Sequence, residues 1–389
     1  MYGQNTPAKV LVPPDRALPV ALRYVIVLTV LAACYFAAAR VGLVLRVYYG
    51  DITPLWPPSG IAVALLWRYS LRWWPVIVIG EFAVAISLGQ SPVMGLIGGI
   101  AQSLEALAAV FLLRRLRVEE VLSRPTHVCQ FVIFGALLPP LLSATIGATA
   151  LRFTGVIGAA DYFSAWSTWW LGDAMGILII TPFIVQWSKW PFAHAREFYR
   201  WFGLMVLLLV AGVTVVTLER AHYVSLFYLL LPFMIVAAAH YGAVGATSTA
   251  VIMAALVLGM QIEAKPDDWQ TAIKLAFIGA TAFAGYLVAS AFAAQSRSWR
   301  QLSIEQERAL ITLQSIGDGV ISTNANGMTE FMNPAAERIT GWAASQARGM
   351  PLDCVLALNP SREHDAPAGE LNAGPALLRT KEGKWVPIE

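Results

Sequence analysis

Residues 162–187 read YFSAWSTWWLGDAMGILIITPFIVQW, and this stretch decides what kind of fold the chain can form. At about 1.5 Å per residue, a helix of that length crosses the roughly 30 Å hydrocarbon core of a bilayer. It carries one ionisable side chain, Asp173, near its middle. Comparable apolar stretches lie at 22–45, 57–70, 73–89, 93–113, 127–150, 201–218, 224–240, 243–261 and 271–294, so ten spans are predicted. The 57–70 stretch is shorter than the roughly 20 residues a span needs and reads as a tilted, broken or re-entrant segment. After Gln295 the composition turns soluble. The whole chain of 389 residues is 57% hydrophobic and 13% charged, with mean hydropathy +0.61. An ordinary soluble chain is about a quarter charged, so a single soluble domain is excluded. A net charge of +3 provides no basic field for nucleic acid. Cys34, Cys129 and Cys354 are far apart and form neither a disulfide framework nor a zinc motif.

The first stretch, RYVIVLTVLAACYFAAARVGLVL (23–45), follows a polar leader, is longer than a signal-peptide core and lacks a cleavage site, so it is read as a retained span. Basic residues fall in alternate connections: Lys9, Arg16 and Arg23; Arg68 and Arg72; Arg114, Arg115, Arg117 and Arg124; Lys189, Arg196 and Arg200; Arg297 and Arg300. The other connections hold Arg46, Arg152, Arg220 and Lys265. The positive-inside rule then puts both termini in the cytoplasm, with short loops around Asp51, Asp161, Glu219 and Asp267 on the far side. Trp73, Trp74, Trp187, Trp190, Trp201 and Trp269 mark span ends as an interfacial belt.

An ionisable group at the centre of a span costs roughly 2.5 to 3.5 kcal/mol on an insertion scale, so each needs a reason. Glu105 lies nine residues before Arg114, roughly 13 Å inside the cytoplasmic edge. Asp173 and Glu81 fall mid-span, and Arg40 lies in the outer half of the first span. In one reading Arg40 neutralises a carboxylate, and the other acids are protonated or hydrogen-bonded between helices. In the other, three acids against one base leave capacity for a cation, a proton or an amine-bearing ligand, with Glu105 and Asp173 lining one cavity. Two proline pairs accompany the acids. Pro57-Pro58, after Trp56, can open a helix, and Pro139-Pro140 must kink or break one and free backbone carbonyls.

Four blocks, PLWPPSGIAVALLW (54–67), SLEALAAVFLLRRL (103–116), LLPPLLSATIGA (137–148) and WWLGDAMGILIITPF (169–183), together resemble the MASE domain of the first class, a bacterial membrane-associated sensor domain. The resemblance covers about residues 20–296. It carries family positions onto Trp56, Pro57, Pro58, Glu105, Pro139, Pro140, Trp170, Asp173, Gly176 and Pro182, and it implies about eight spans. Glu81 and Arg40 match no family motif and rest on the membrane argument alone.

Residues 298–316, SWRQLSIEQERALITLQSI, read as a helix continuing the last span. Trp299, Gln306 and Leu313 share one heptad position, and Leu302, Ala309 and Ile316 share another, as in a parallel dimeric signalling helix. An amphipathic helix packing on the next domain is the alternative. Beyond it, an Asn326-Gly327 turn between two strand-like runs predicts a hairpin. Asn333 should cap the next helix, with Pro334 first inside it and Gly341 ending it. The stretch SIGDGVISTNANGMTEFMNPAAERITGW (315–342) resembles the opening of a PAS domain, continued by strand-like ALLRTKEG and KWVPIE. A final strand of that fold is missing, which suggests a fragment of a longer protein. No flavin motif surrounds Cys354, and His364 sits in a polar loop at 360–367, so no cofactor is predicted.

The expected architecture is therefore an all-α polytopic bundle of about eight to ten transmembrane helices, then a helical linker and a partial α/β PAS domain. The boundaries are a tail at 1–19, the membrane domain at 20–296, the linker at 297–312 and the PAS domain at 313–389. No Walker loop, GxSxG, HExxH or dinucleotide fingerprint occurs, so these residues are not read as an enzyme, and no metal site is predicted. The expected role is an inner-membrane sensory input relaying to a C-terminal output. By resemblance, that output is a diguanylate cyclase and/or cyclic-di-GMP phosphodiesterase. A histidine kinase sensor, a transporter and a docking protein are the alternatives. Expected partners are the lipid bilayer, a second copy of the chain, and a small ligand or a membrane protein, but no nucleic acid.

Overall fold

The computed structural model describes residues 20–43, 52–189, 195–222, 227–261, 268–359 and 376–388. Expectations placed on Lys9, Arg16, Arg46, Asp51, Trp190, Lys265, Asp267 and the 360–367 loop with His364 lie outside the described residues, as do the side chains of Glu219, Arg220, Trp269, Gln306 and Ala309. The chain forms two compact units, Met1–Gln295 and Ser296–Glu389.

The first unit contains α1 (Val20–Leu43), α2 (Pro57–Arg68), α3 (Pro75–Ser87), α4 (Pro92–Arg115), α5 (Pro125–Phe131), α6 (Pro140–Phe153), α7 (Tyr162–Trp187), α8 (Ala195–His222), α9 (Leu231–Gln261) and the larger part of α10 (Asp268–Ser315). Five consecutive helices, α2 to α6, open on a proline. Proline suits that position because its fixed φ is helical and the N–H it lacks would have had no partner. Seven segments among the described residues are long and apolar enough to cross a membrane. The ten expected spans reduce to these seven for local reasons. The 57–70 and 73–89 stretches become α2 and α3, which have only 12 and 13 residues. The 224–240 and 243–261 stretches meet at Gly242 (φ 55°, ψ −134°), where α9 is broken, and the part from Leu231 on counts by length and composition as one of the seven. There the chain bends so tightly that a Cβ on Gly245 would stand 2.1 Å from the Ala237 carbonyl oxygen.

Charged residues from separate connections meet in one cleft of this unit. Arg68 at the end of α2 and Lys189 beyond α7 line a cleft with Glu119 and Glu120, and Lys189 pairs with Glu120. Tyr24 of α1 stacks on Trp73, ring centroids 5.0 Å apart, and its hydroxyl donates to the Arg72 carbonyl.

The second unit contains the end of α10, β1 (Ile321–Thr323), β2 (Thr329–Met332), α11 (Pro334–Thr340), α12 (Ala344–Ala347), α13 (Leu352–Val355), β3 (Ala357–Asn359), β4 (Ala376–Arg379) and β5 (Trp385–Ile388). β1 and β2 form the predicted hairpin, with Ile321 opposite Met332, and β3-β4-β5 make a second antiparallel sheet. Met332, Ala336, Ala347 and Val355 form its small core. Asn333 Oδ1 accepts from the Ala336 N–H at 2.8 Å and the Val320 N–H at 2.9 Å, while Nδ2 donates to the Leu313 and Asp318 carbonyls, both at 2.9 Å. One buried side chain thus caps α11 and closes the last turn of α10. Gly341 ends α11 at φ 73°, a left-handed conformation that favours glycine. Along α10 in this unit, Trp299 and Leu302 are exposed and Leu313 half-buried, while Ile316, expected on the same helix, lies half-buried just past its end at Ser315.

Candidate sensing site

The site begins with buried backbone that is not helical. Residues 52–56 run buried into the bundle before α2 starts, and the Trp56 N–H donates to the Gly172 carbonyl of α7 at 2.9 Å. Such backbone is tolerated at membrane depth where protein groups satisfy it. α7 admits it because Gly172 and Gly176, four residues apart on one helix face, lack side chains. A Cβ on Gly172 would lie 2.2 Å from the Thr53 carbonyl oxygen, and one on Gly176 2.0 Å from that of Trp56. Gly60 meets the same face, where a Cβ would lie 2.2 Å from the Gly176 oxygen. Pro57 and Pro58 remove two N–H groups from the buried start of α2, so the helix can open there without orphaned donors.

This seating brings Ser59, in the first turn of α2, to Asp173. Ser59 Oγ lies 2.8 Å from Asp173 Oδ1 and 2.8 Å from Gln102 Oε1, and Gln102 Nε2 donates to both Asp173 oxygens at 3.1 and 3.0 Å. Ser143 Oγ lies 2.7 Å from Asp173 Oδ2 and also contacts Glu105 Oε2. All five side chains are buried. Glu105 Oε1 has no hydrogen-bond partner among the described residues. Asp173 also faces the N-terminal end of α2, whose partial positive charge favours an anion. Ser143 carries one hydroxyl proton but has three acceptors around it: Glu105, Asp173 and the Pro140 carbonyl. The array can therefore hold one more proton between the two carboxyl groups.

A cavity of about 80 Å³ adjoins the network, walled by Trp56, Glu81, Gln102, Trp169 and Asp173 among others. Gly147 makes room for Trp169, since a Cβ there would lie 2.3 Å from the indole ring. A water needs about 10–15 Å³ of such volume, so the cavity holds several waters or one small organic molecule. Glu81 accepts from the Tyr35 hydroxyl at 3.1 Å. Among the described residues, none of the three acids is paired with a Lys, Arg or His side chain.

The structure thus places Glu105 beside Asp173, with Ser143 shared between them; Asp173 and Glu81, not Glu105, face the cavity. Arg40 is exposed, and its Nη1 lies 3.4 Å from Ser87 Oγ instead of at a carboxylate. Pro139 and Pro140 follow a π-helical stretch, Val132–Leu137, and the Leu137 carbonyl accepts from Trp170 Nε1 at 2.9 Å. Pro182 lies inside α7 and leaves the Leu178 carbonyl without its helical donor. The Tyr286 hydroxyl of α10 donates to that oxygen at 3.2 Å. Sequence reasoning missed Tyr35, Ser59, Gln102, Ser143, Trp169 and Tyr286. Two of them had a signal: Ser59 directly follows Pro57-Pro58, and Gln102 precedes Glu105 by three residues, on one helix face.

Comparison with known proteins agrees with this architecture. The MASE1 family model matches residues 27–314, and the PAS fold model matches residues 311–356. The chain is 46% identical over 52 residues to "Probable diguanylate cyclase DgcE" of Escherichia coli (strain K12). That match covers 13% of this chain and 5% of the relative, so the chain spans a small part of that protein's length. No solved structure matches. The MASE1 match takes in well over half of the chain, including every residue of the Asp173 network, and the chain belongs to the MASE1 family of membrane sensor domains.

Proposed function

We propose that the chain is the sensory input of a longer signalling protein of the bacterial inner membrane, with both termini cytoplasmic, and that the cavity beside Asp173 receives the stimulus. The carrying observation is that Asp173 and Glu81 wall a cavity at membrane depth with no basic side chain bonded to either among the described residues. Carboxylates without a basic partner there favour a ligand that brings positive charge, and the indoles of Trp56 and Trp169 add cation–π attraction. The ligand class is a small organic ammonium. The excess of Lys and Arg in alternate connections, two of which meet where Arg68 and Lys189 line one cleft, supports the cytoplasmic assignment.

The output is proposed to be cyclic-di-GMP synthesis or breakdown, supported by the match to a protein named as a probable diguanylate cyclase. Trp299 and Leu302, exposed along α10, are proposed as the contact with a second copy of the chain.

Thermal unfolding of the purified chain in lipid nanodiscs, with methylammonium chloride against sodium chloride, tests the site. A ligand at 100 times its Kd stabilises the folded state by about 2.7 kcal/mol. We expect the methylammonium-specific rise in the wild type and its loss in Glu81→Gln and Asp173→Asn. No rise, or an equal rise in both variants, would overturn the assignment.

A further inference from the structure

We propose that Tyr286 is the residue through which α7 acts on α10, using the carbonyl acceptor that Pro182 creates. In an unbroken helix the Leu178 oxygen would accept from the N–H of residue 182. Proline has no N–H, so this oxygen must find another donor or stay unsatisfied in an apolar interior. Tyr286 supplies it: the ring is fully buried, and its hydroxyl lies 3.2 Å from the Leu178 oxygen. The need is mutual, because a buried phenol requires a partner as well.

A second contact fixes the same two helices. Gly279 precedes Tyr286 by seven residues, two helical turns on one face. A Cβ there would lie 3.1 Å from Met175 Sδ and 3.5 Å from the Leu178 side chain. Met175 and Leu178 follow Asp173 by two and five residues, placing both contacts within roughly 8 Å along the helix axis from the acid. α7 is itself held rigidly at Asp173, where Gly172 and Gly176 meet backbone with no flexible side chain between. A shift of α7 at the site therefore moves the Leu178 carbonyl, and the hydroxyl bond obliges α10 to follow or to break it. α10 is one helix from Asp268 to Ser315 and includes the linker residues Trp299 and Leu302.

The signalling meaning rests on the reading of Asp173 as the sensing group; the Pro182–Tyr286 pairing does not. The experiment therefore has two arms, both on the whole chain in nanodiscs. In the first, Tyr286→Phe lowers the unfolding midpoint, and Pro182→Ala in the same chain removes most of that loss, because residue 182 then offers its own N–H to Leu178. If the loss is unchanged by Pro182→Ala, the pairing is refuted.

The second arm measures amide hydrogen exchange in residues 276–300. We expect Asp173→Asn to change it roughly tenfold, the scale of one net hydrogen bond. With Tyr286→Phe also present, that effect should vanish from α10 while persisting in residues 53–60. An equal response of α10 with and without the hydroxyl would overturn the relay. If methylammonium fails to bind but both arms hold, the ligand assignment is lost and the relay stands.

Discussion

Gly176→Ala is expected to destabilise the membrane domain by about 3 kcal/mol, at the upper end of overpacking costs. The new Cβ would stand 2.0 Å from the Trp56 carbonyl oxygen and 2.8 Å from its carbonyl carbon. Both neighbours are backbone, so no rotamer change relieves the clash, and either α7 or the 52–56 segment must move. Movement breaks the Trp56 N–H bond to Gly172 and draws Ser59 away from Asp173. The loss therefore includes hydrogen bonds as well as strain. Gly203→Ala in α8 is the control: nothing lies within 4 Å of its added Cβ, and alanine is the better helix former by up to about 1 kcal/mol. Unfolding midpoints in detergent should fall sharply for Gly176→Ala and hold or rise for Gly203→Ala. Equal midpoints for the two would show that α7 and the 52–56 segment are not in backbone contact.

Asn333→Ala carries the second large effect, in the PAS unit. Helix caps of this kind contribute about 0.5–2 kcal/mol, and each buried polar group left unpaired adds about 1–3 kcal/mol. Four groups lose their partner here: the N–H groups of Val320 and Ala336 and the carbonyls of Leu313 and Asp318. We expect a total near 3 kcal/mol, since some of these groups recover water. Asn333→Asp separates the contributions, because its carboxylate still accepts from both N–H groups but cannot donate to the carbonyls. Limited proteolysis across residues 313–359 should rank wild type as most resistant, then Asp, then Ala. A PAS unit indifferent to both substitutions would contradict the role given to this side chain.

What the residues announce by themselves is whatever depends on near neighbours in sequence. The hairpin at Asn326-Gly327, the Asn333 cap and the Gly341 stop are set within a few residues of chain, and all three stand where their spacing put them. Apolar length found the long helices for the same reason. It overcounted at α2 and α3, because hydropathy measures apolar content and not where a proline starts a short helix, while the boundary it drew between 240 and 243 is where α9 breaks at Gly242. The midplane acids stood out individually because charge in a span is rare. Their partners did not. Ser59, Gln102 and Ser143 are ordinary residues whose role depends on three other helices arriving at Asp173. Tyr286 is a further case: Pro182 signals an orphaned carbonyl, but nothing near it says which distant hydroxyl will take it.

On the proposed function, the Asp173 network sets the state of the protein's output. The most direct test is the proposed output of the full-length protein in native membranes, read as cyclic-di-GMP formed or consumed, with Asp173→Asn compared against wild type and against Arg40→Gln, which alters an exposed residue with no hydrogen bond to the network among the described residues. We expect a several-fold change in basal output for Asp173→Asn at equal membrane abundance, and none for Arg40→Gln. A correctly folded Asp173→Asn protein with wild-type output, under both methylammonium and sodium salts, would contradict it.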